Sequence, residues 1–588
     1  MSAADSMIFE SYAQAANVHD VQPVAVEDAT PATAADGAID PPTNASPPQL
    51  GESAPVLKRQ SSKHAPRPTD DEGKARAQAT VLTEIGKTHH LFHDAGADAY
   101  AAIPAGEGFI VLAVAGGDYR ELLSRDYFRL TGKGANRNAI GDAINTLTAI
   151  AKYNGPCEPV FLRVGLSKSG LILDCGDAEN RAIEVTAIGW SVVTQAPVRF
   201  RRSGKPVALP IPTTANLAPL WKMLNVSEAD RPLLLAWLLA ALRPRGPYPI
   251  LTLIGEQGSA KSTATRILKR LTDPSAVPLR APPKDERDLL VAARASWVLA
   301  IDNLSGVDAQ LSDAFCRLAT GGGLAARKLY TDTDETLVEI QRPMILNGID
   351  ELASRPDLAQ RCIQIELPVI PDEARCTEQE LWAEFDAAAP GIMAALLDGL
   401  SRALRDVNTI KLASKPRMAD FAQWAAAGLP ALGYSSAEFL SRYREKSASA
   451  IQDGLETSAL ARVLRRFIEP REKWQGSKQE LLTELGALAT DYERNLHGWP
   501  RSPKGLTNAL RRQGPSLRHI GITFEDHRTE DVRTIILRYD ATAGQGAPPC
   551  EVAGQASASV ICQATGPAND GMTHLTLGQP PGTLGDAK

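Results

Sequence analysis

The spacing of apolar positions changes several times along this chain, and each change marks a different kind of element. Residues 109–114 (Phe-Ile-Val-Leu-Ala-Val) and 170–174 (Gly-Leu-Ile-Leu-Asp) are short β-like runs, while 139–152 carries helical spacing. Residues 198–202 read as a strand that runs into a linker containing Pro206, Pro210 and Pro212. A segment at 227–242 is helical, and its stretch 233–242 is apolar on every face, which predicts a buried helix. Strand and helix patterns then alternate. Residues 249–254, 296–301 and 342–347 are apolar runs of strand length, which argues for a three-layer α/β domain over 213–375. From 376 to 470 the spacing is helical throughout, as in Leu381, Phe385 and Ala388 followed by Ile392, Leu396 and Leu397. Residues 471–540 give a basic helical stretch and then two strand-like runs, 520–524 and 532–538.

Composition places limits on this outline. The 588 residues exceed one compact core, so several domains are expected. Residues 1–75 are rich in Ala, Pro, Asp, Ser and Thr, and those after 540 in Gly, Ala, Pro and Thr; neither end can bury enough apolar surface to offset chain entropy, and both are expected to be disordered. The formal charge of −6 excludes a protein that is basic throughout, so any nucleic-acid contact must come from a local patch. The longest apolar run is about half the ~20 residues a membrane helix needs, and no signal peptide is evident. Seven scattered cysteines without a C-x-x-C pair suggest reduced thiols, no structural zinc and a cytoplasmic location. His89, His90 and His93 lie close in sequence but lack acidic or cysteine partners at ligand spacing, so a structural role is expected.

The chemistry is concentrated in the centre. After the apolar run 249–254 come Gly255, Glu256, Gln257, Gly258, Ser259, Ala260, Lys261, Ser262 and Thr263, and then a helix ending before Pro274. Strand, Gly-rich loop and helix opening on Lys-Ser form the context of a phosphate-binding loop. Its backbone N–H groups would face the phosphates of ATP, Lys261 would reach the outer ones, and the Ser262 hydroxyl would ligate Mg²⁺. Ala260 stands where the usual pattern has Gly, which is tolerable if that residue has helical dihedrals; the same Ala-Lys-Ser variant resembles the loop of minichromosome-maintenance helicases. Asp302, at the end of the run 296–301, is the second expected Mg²⁺ ligand. Asn303 follows it where many such ATPases have Glu. An amide can orient water but cannot take its proton, so hydrolysis is expected to be slow or to use another base; Asp308 and Asp313 are candidates, but helix capping or a solvated face is the favoured reading of both. Asn347, ending the third run, fits a sensor of the lytic water. Arg361 is a candidate arginine finger, with a local salt bridge as the competing reading and Arg355 as the rival residue.

The order of these features resembles the superfamily-3 helicases and related phage and plasmid primase-helicase ATPases. It runs from the Gly-rich loop and Asp302 through 311–323 (Leu-Ser-Asp-Ala-Phe-Cys-Arg-Leu-Ala-Thr-Gly-Gly-Gly), Arg327 and Lys328 to Asn347 and Arg361. The resemblance covers about 215–368 and implies an AAA+ ring with nucleotide between subunits, a DNA-touching β-hairpin carrying Arg327 and Lys328, a sensor at Asn347 and a finger at Arg361. The sequence departs from that family at Gly323 and Asn303, where the family has acids. More broadly, 90–540 looks like bacterial ATP-binding proteins of integrated elements. The N-terminal α+β domain at 76–212 declares no chemistry of its own and is a candidate holder of a partner such as a primase or another replication protein.

In the C-terminal stretch, Ser477 and Glu480 form a capping-box pattern, and Ser502 with Pro503 opens a second helix. Leu506, Ala509 and Leu510 make its apolar stripe, leaving Lys504, Thr507, Asn508, Arg511 and Arg512 on other faces. Between Arg501 and Arg518 there is no acid. Helices followed by a hairpin resemble a winged helix, and the one-sided charge points to DNA. The expectation is therefore a ring-forming, DNA-stimulated ATPase or helicase of a mobile element. The alternative is a nucleotide-gated DNA-binding initiator with little turnover. A small-molecule kinase would need neither the sensor-to-arginine series nor the basic module.

Overall fold

The computed structural model describes residues 77–202, 207–327, 335–348, 355–496, 498–528 and 533–540. The stretches expected to be disordered, and Lys328, lie outside the described residues. The centre is a four-stranded parallel sheet in the order Leu299–Leu304, Met344–Gly348, Ile250–Ile254, Cys362–Glu366. Buried on both faces, these strands are the near-continuous apolar runs that a parallel sheet requires. The helices Lys261–Thr272, Glu286–Ala295 and Ala309–Thr320 complete the α/β unit.

Helix Arg231–Ala241 is buried from Pro232 to Ala241, as its all-round apolar sequence predicts. Its indole Trp237 Nε1 donates to Pro249 O (3.0 Å), tying it to the start of the sheet. The helices Glu378–Asp406 and Ala419–Gly428 share the same core. Helix Ser436–Thr457 crosses three cores in turn. Phe439, Leu440 and Tyr443 lie in the first, Ala450 in the second, and Ile451 and Leu455 in the C-terminal one. The C-terminal core also takes in helix Ala459–Ile468, which Ser458 caps through Ala461 N.

Residues 77–202 form two pieces. One is a three-stranded antiparallel sheet (His90–His93, Ala99–Ala105, Gly108–Ala113) covered by the helices Gln78–Lys87, Gly117–Thr131 and Arg137–Tyr153. The other is a four-stranded antiparallel sheet (Val164–Leu166, Leu171–Asp174, Ala182–Thr186, Gly189–Val193) whose buried face belongs to the central core. Trp190 Nε1 donates to Asp398 on the long helix (2.9 Å). The three histidines go to separate partners: His89 to the Tyr119 hydroxyl, His90 to Glu158 and His93 to Asp94 O.

The C-terminal module is a three-stranded antiparallel sheet in the order Lys473–Ser477, Arg533–Tyr539, Ile522–Arg528, packed with the helices Lys478–Leu488 and Pro503–His519. The strand before the Ser477 cap was not read from the sequence, because its five residues carry one large apolar side chain, Trp474, which is too short a pattern to mark a strand. Ser477 and Glu480 do form the reciprocal capping box. Ser502 caps the next helix through Gly505 N. Thr507, expected on a face other than the Leu506, Ala509 and Leu510 stripe, is buried, and its hydroxyl donates to Pro503 O. No helix among the described residues is long and apolar enough to cross a membrane.

Candidate functional site

The loop from Gly255 to Ala260 leaves the central strand Ile250–Ile254 and enters helix Lys261–Thr272. Its glycines are steric necessities. Gly255 has φ +149°, and a Cβ there would lie 2.4 Å from Leu367 O; Gly258 has φ +87°. Ala260 adopts φ 60°, ψ 30°, the left-handed region. The condition under which Ala is unstrained here, right-handed helical dihedrals, is therefore not met, and the methyl group carries strain of about 1–2 kcal/mol that Gly would avoid. Ser259 is fully buried and its hydroxyl donates to Glu256 O (2.9 Å), bracing the turn. Glu256, Gln257 and Gly258 are exposed, and Ser262 and Thr263 are half-buried in the first turn of the helix.

Lys261 Nζ donates to Gly255 O and Glu256 O (both 2.7 Å). Partial burial holds its ammonium below the usual lysine range, and Asp302 acts in the opposite direction. Ser262 Oγ lies 3.0 and 3.2 Å from the two carboxylate oxygens of Asp302, forty positions away in sequence. A hydroxyl and a carboxylate brought together in this way are hard oxygen donors of the kind Mg²⁺ takes, so the residues fit such an ion.

Asp302 lies within the strand Leu299–Leu304 and not beyond its end. The strand starts late because the N–H groups of Trp297 and Val298 bind the Asp273 carboxylate (2.9 and 3.0 Å) and are unavailable to the sheet. The register against Met344–Gly348 breaks between Ile301 and Leu304. Asn303 sits in that irregularity with φ 58°, exposed, and its N–H is taken by Asn347 Oδ1 (2.8 Å). Asn347 is 1% exposed, and its Nδ2 donates to Thr265 Oγ1 (3.1 Å). The Thr265 hydroxyl in turn donates to Lys261 O (2.9 Å). Asn347 therefore stitches the Asp302 strand to the loop helix. Thr265 was missed by sequence reading, although it lies one helical turn beyond Lys261.

The arginines are tied locally. Arg361 Nη1 donates to Asp357 Oδ1 (2.6 Å), and Asp357 also accepts from Arg417 Nη2 (2.9 Å). This is the salt bridge that competed with the finger reading. Burial raises the Asp357 carboxyl, but Arg361 and Arg417 outweigh it and hold the group below its ordinary value. Arg355 pairs with Asp313 (3.0 Å) and donates to Ala309 O. Asp308 caps helix Ala309–Thr320 through Leu311 N (2.8 Å), so neither Asp308 nor Asp313 stands free as a base. Arg327 ends the strand Gly323–Arg327, which pairs with Glu335–Glu339 as a hairpin.

In the C-terminal module, Lys478, Pro503, Lys504, Thr507, Asn508, Arg511 and Asp526 line a cleft of about 590 Å³. Asp526 accepts from Lys478 (2.9 Å) and Arg511 (2.8 Å), which hold its carboxyl below its usual range. Lys504 and Arg512 are exposed and have no ion-pair partner among the described residues. Lys478 was overlooked in the sequence because it follows the cap residue and lies outside the acid-free stretch.

Comparison with known proteins supplies the context. Residues 217–452 match the model of the actinomycete integrative conjugative element replication protein. Residues 460–551 match the RepA C-terminal domain of the same elements. Among solved structures, the apo C-terminal region of NrS-1 is similar at 12% identity and a TM-score of 0.34, over 79% of this chain and 98% of that one. SCCmec type IV Cch, described as an active helicase, is similar at 11% identity and a TM-score of 0.40, over 76% and 92%. No curated protein matches the chain. The two matches follow one another along the chain, so over residues 217–452 and 460–551 this protein is similar to the replication proteins of actinomycete integrative conjugative elements.

Proposed function

We propose that this protein binds ATP with Mg²⁺ at the loop from Gly255 to Thr263 and couples its hydrolysis to work on DNA, as a ring-forming helicase or replication ATPase of its element. The observation that carries this reading is the convergence of Ser262 and Asp302 at 3.0 Å beside Lys261, at the mouth of a glycine loop whose dihedrals only glycine accepts readily. Mg²⁺ bound there would neutralise phosphate charge. The chain's own part is to cradle the phosphates with loop N–H groups, to hold Lys261 against the outer ones, and to fix Asp302 through the Asn347–Thr265 stitch. The cleft with Lys504 and Arg511, and the exposed Arg512 on the same helix, support duplex binding by the winged-helix-like module, and the hairpin whose first strand ends at Arg327 supports a grip on DNA in the ring.

One observation favours the second reading, a nucleotide-gated DNA binder: Asn303 replaces the expected acid, and the nearby Asp308 and Asp313 are engaged as a cap and an ion pair. The steady-state ATPase rate with and without single-stranded and duplex DNA separates the two. Stimulation by DNA supports the motor, while ATP-dependent DNA affinity with negligible turnover supports the gate. Lys261→Ala is expected to weaken ATP binding at least about tenfold, and normal ATP binding by that variant would overturn the site itself. Arg361 acts across a subunit boundary in this reading only by exchanging Asp357 for a neighbour's nucleotide. Arg361→Ala is then expected to stop turnover and leave ATP binding intact.

A further inference from the structure

We infer that Arg375, within the same chain, is the cation that closes on the outermost phosphate of the bound nucleotide. This inference rests on the phosphate-loop reading above. Neither Arg355 nor Arg361 directs its guanidinium at the loop, since both are held by carboxylates and carbonyls elsewhere. Arg375 does approach it: a Cβ built on Gly258, in the middle of the loop, would lie 3.4 Å from Arg375 Nη2.

The backbone that carries Arg375 is fastened to the loop. Leu367 N donates to Ile254 O (2.9 Å), and Ile370 N donates to Gly258 O (3.4 Å). Beyond Arg375, Glu378 pairs with Arg266 of the loop helix, and Arg266 also lies over the Trp382 ring at 5.5 Å. Residues 367–378 are thus joined at one end to the strand end and the loop and at the other to the helix that follows the loop, with the arginine between. Its present partner is weakly held. Arg375 Nη1 contacts Asp372 Oδ1 at 2.8 Å, but the two side chains are 54% and 82% exposed. An ion pair so open to water contributes little, whereas an arginine on a phosphate forms short, charge-assisted and often bidentate bonds. Exchange of Asp372 for a phosphate is therefore favoured.

The test is calorimetric titration of the full chain with ATPγS and with ADP in the presence of Mg²⁺. Arg375→Ala is expected to weaken ATPγS about tenfold and ADP much less, with an unchanged melting temperature because the side chain is exposed. Arg375→Lys is expected to recover part of the loss, and Asp372→Ala to tighten ATPγS. Lys261→Ala is the control for the site. If Lys261→Ala loses nucleotide but Arg375→Ala binds both ligands as the native chain does, or loses both equally, the assignment of Arg375 to the outermost phosphate is overturned and the loop reading stands. If Lys261→Ala also binds normally, the loop reading fails first.

Discussion

Two lysines on one helix, Lys261 and Lys269, live under opposite rules. Lys261 opens the helix at a strained junction, half-buried, with its ammonium resting on two loop carbonyls. Lys269, two turns on, is 2% exposed and donates to Asp273 Oδ2 (2.6 Å) and Val298 O (2.7 Å). Asp273 is saturated in return by Arg163 Nε and by the N–H groups of Trp297 and Val298. Arg163 carries the network to Asp174 O and Pro274 O, so the helix terminus, the Asp302 strand and the second N-terminal sheet meet at one buried point. The difference shows how the helix is divided. The end that would meet a ligand is left strained and exchangeable, while the far end is locked by charges that cannot be removed singly without leaving a partner unpaired in the core.

The largest effect expected from breaking this contrast is on the locked end. Lys269→Ala leaves Asp273 without its closest cation and is expected to cost about 3–5 kcal/mol in denaturant unfolding. A loss below 1 kcal/mol would mean that the network is not structural. Next comes acid. Burial raises the Asp273 carboxyl, but Lys269 and Arg163 outweigh it and bring the group down to about 2. A carboxyl depressed on folding stabilises the fold above its unfolded value near 4, and that contribution is lost as pH falls through about 2. Unfolding titrations should therefore show roughly 2 kcal/mol disappearing between about pH 4 and 2, and Asp273→Asn should flatten that window. A smaller gain is expected at the strained end. Ala260→Gly removes the left-handed methyl but adds freedom to the unfolded chain, for a net gain of roughly 0.5–1 kcal/mol. Smallest of all, Lys261→Ala is expected to shift stability by no more than about 0.5 kcal/mol while nucleotide binding collapses. A large drop in melting temperature would make Lys261 a structural lysine like Lys269.

The C-terminal module shows a milder form of the same division. Lys478 and Arg511 share Asp526 and so keep a fixed geometry, while Lys504 and Arg512 remain open to a phosphate. Salt dependence of DNA affinity should accordingly fall on substitution of Lys504 or Arg512.

Much of this arrangement was legible along the chain because it is local. Strand, glycine loop and Lys-Ser helix are contiguous, the Ser477 and Ser502 caps bond within three residues, and the all-round apolar run at 233–242 could only be buried. The order of Asp302, Asn347 and Arg361 was likewise readable, since parallel strands are apolar runs with polar ends. What each polar end does was not. Asn347 reaches both Asn303 and Thr265 only because its strand lies between the other two. Arg361 goes to Asp357, four positions before it, and the same carboxylate oxygen also accepts from Arg417, 60 positions from Asp357, a meeting that only the fold makes. Ala260 is left-handed at the junction of loop and helix, a backbone state that its side chain does not announce. The sequence alone determined which chemistry the chain carries, because covalent neighbours set loops, caps and periods. Only the tertiary structure decided which charges are locked and which remain exchangeable, because that depends on residues far apart in the chain competing for the same buried partners.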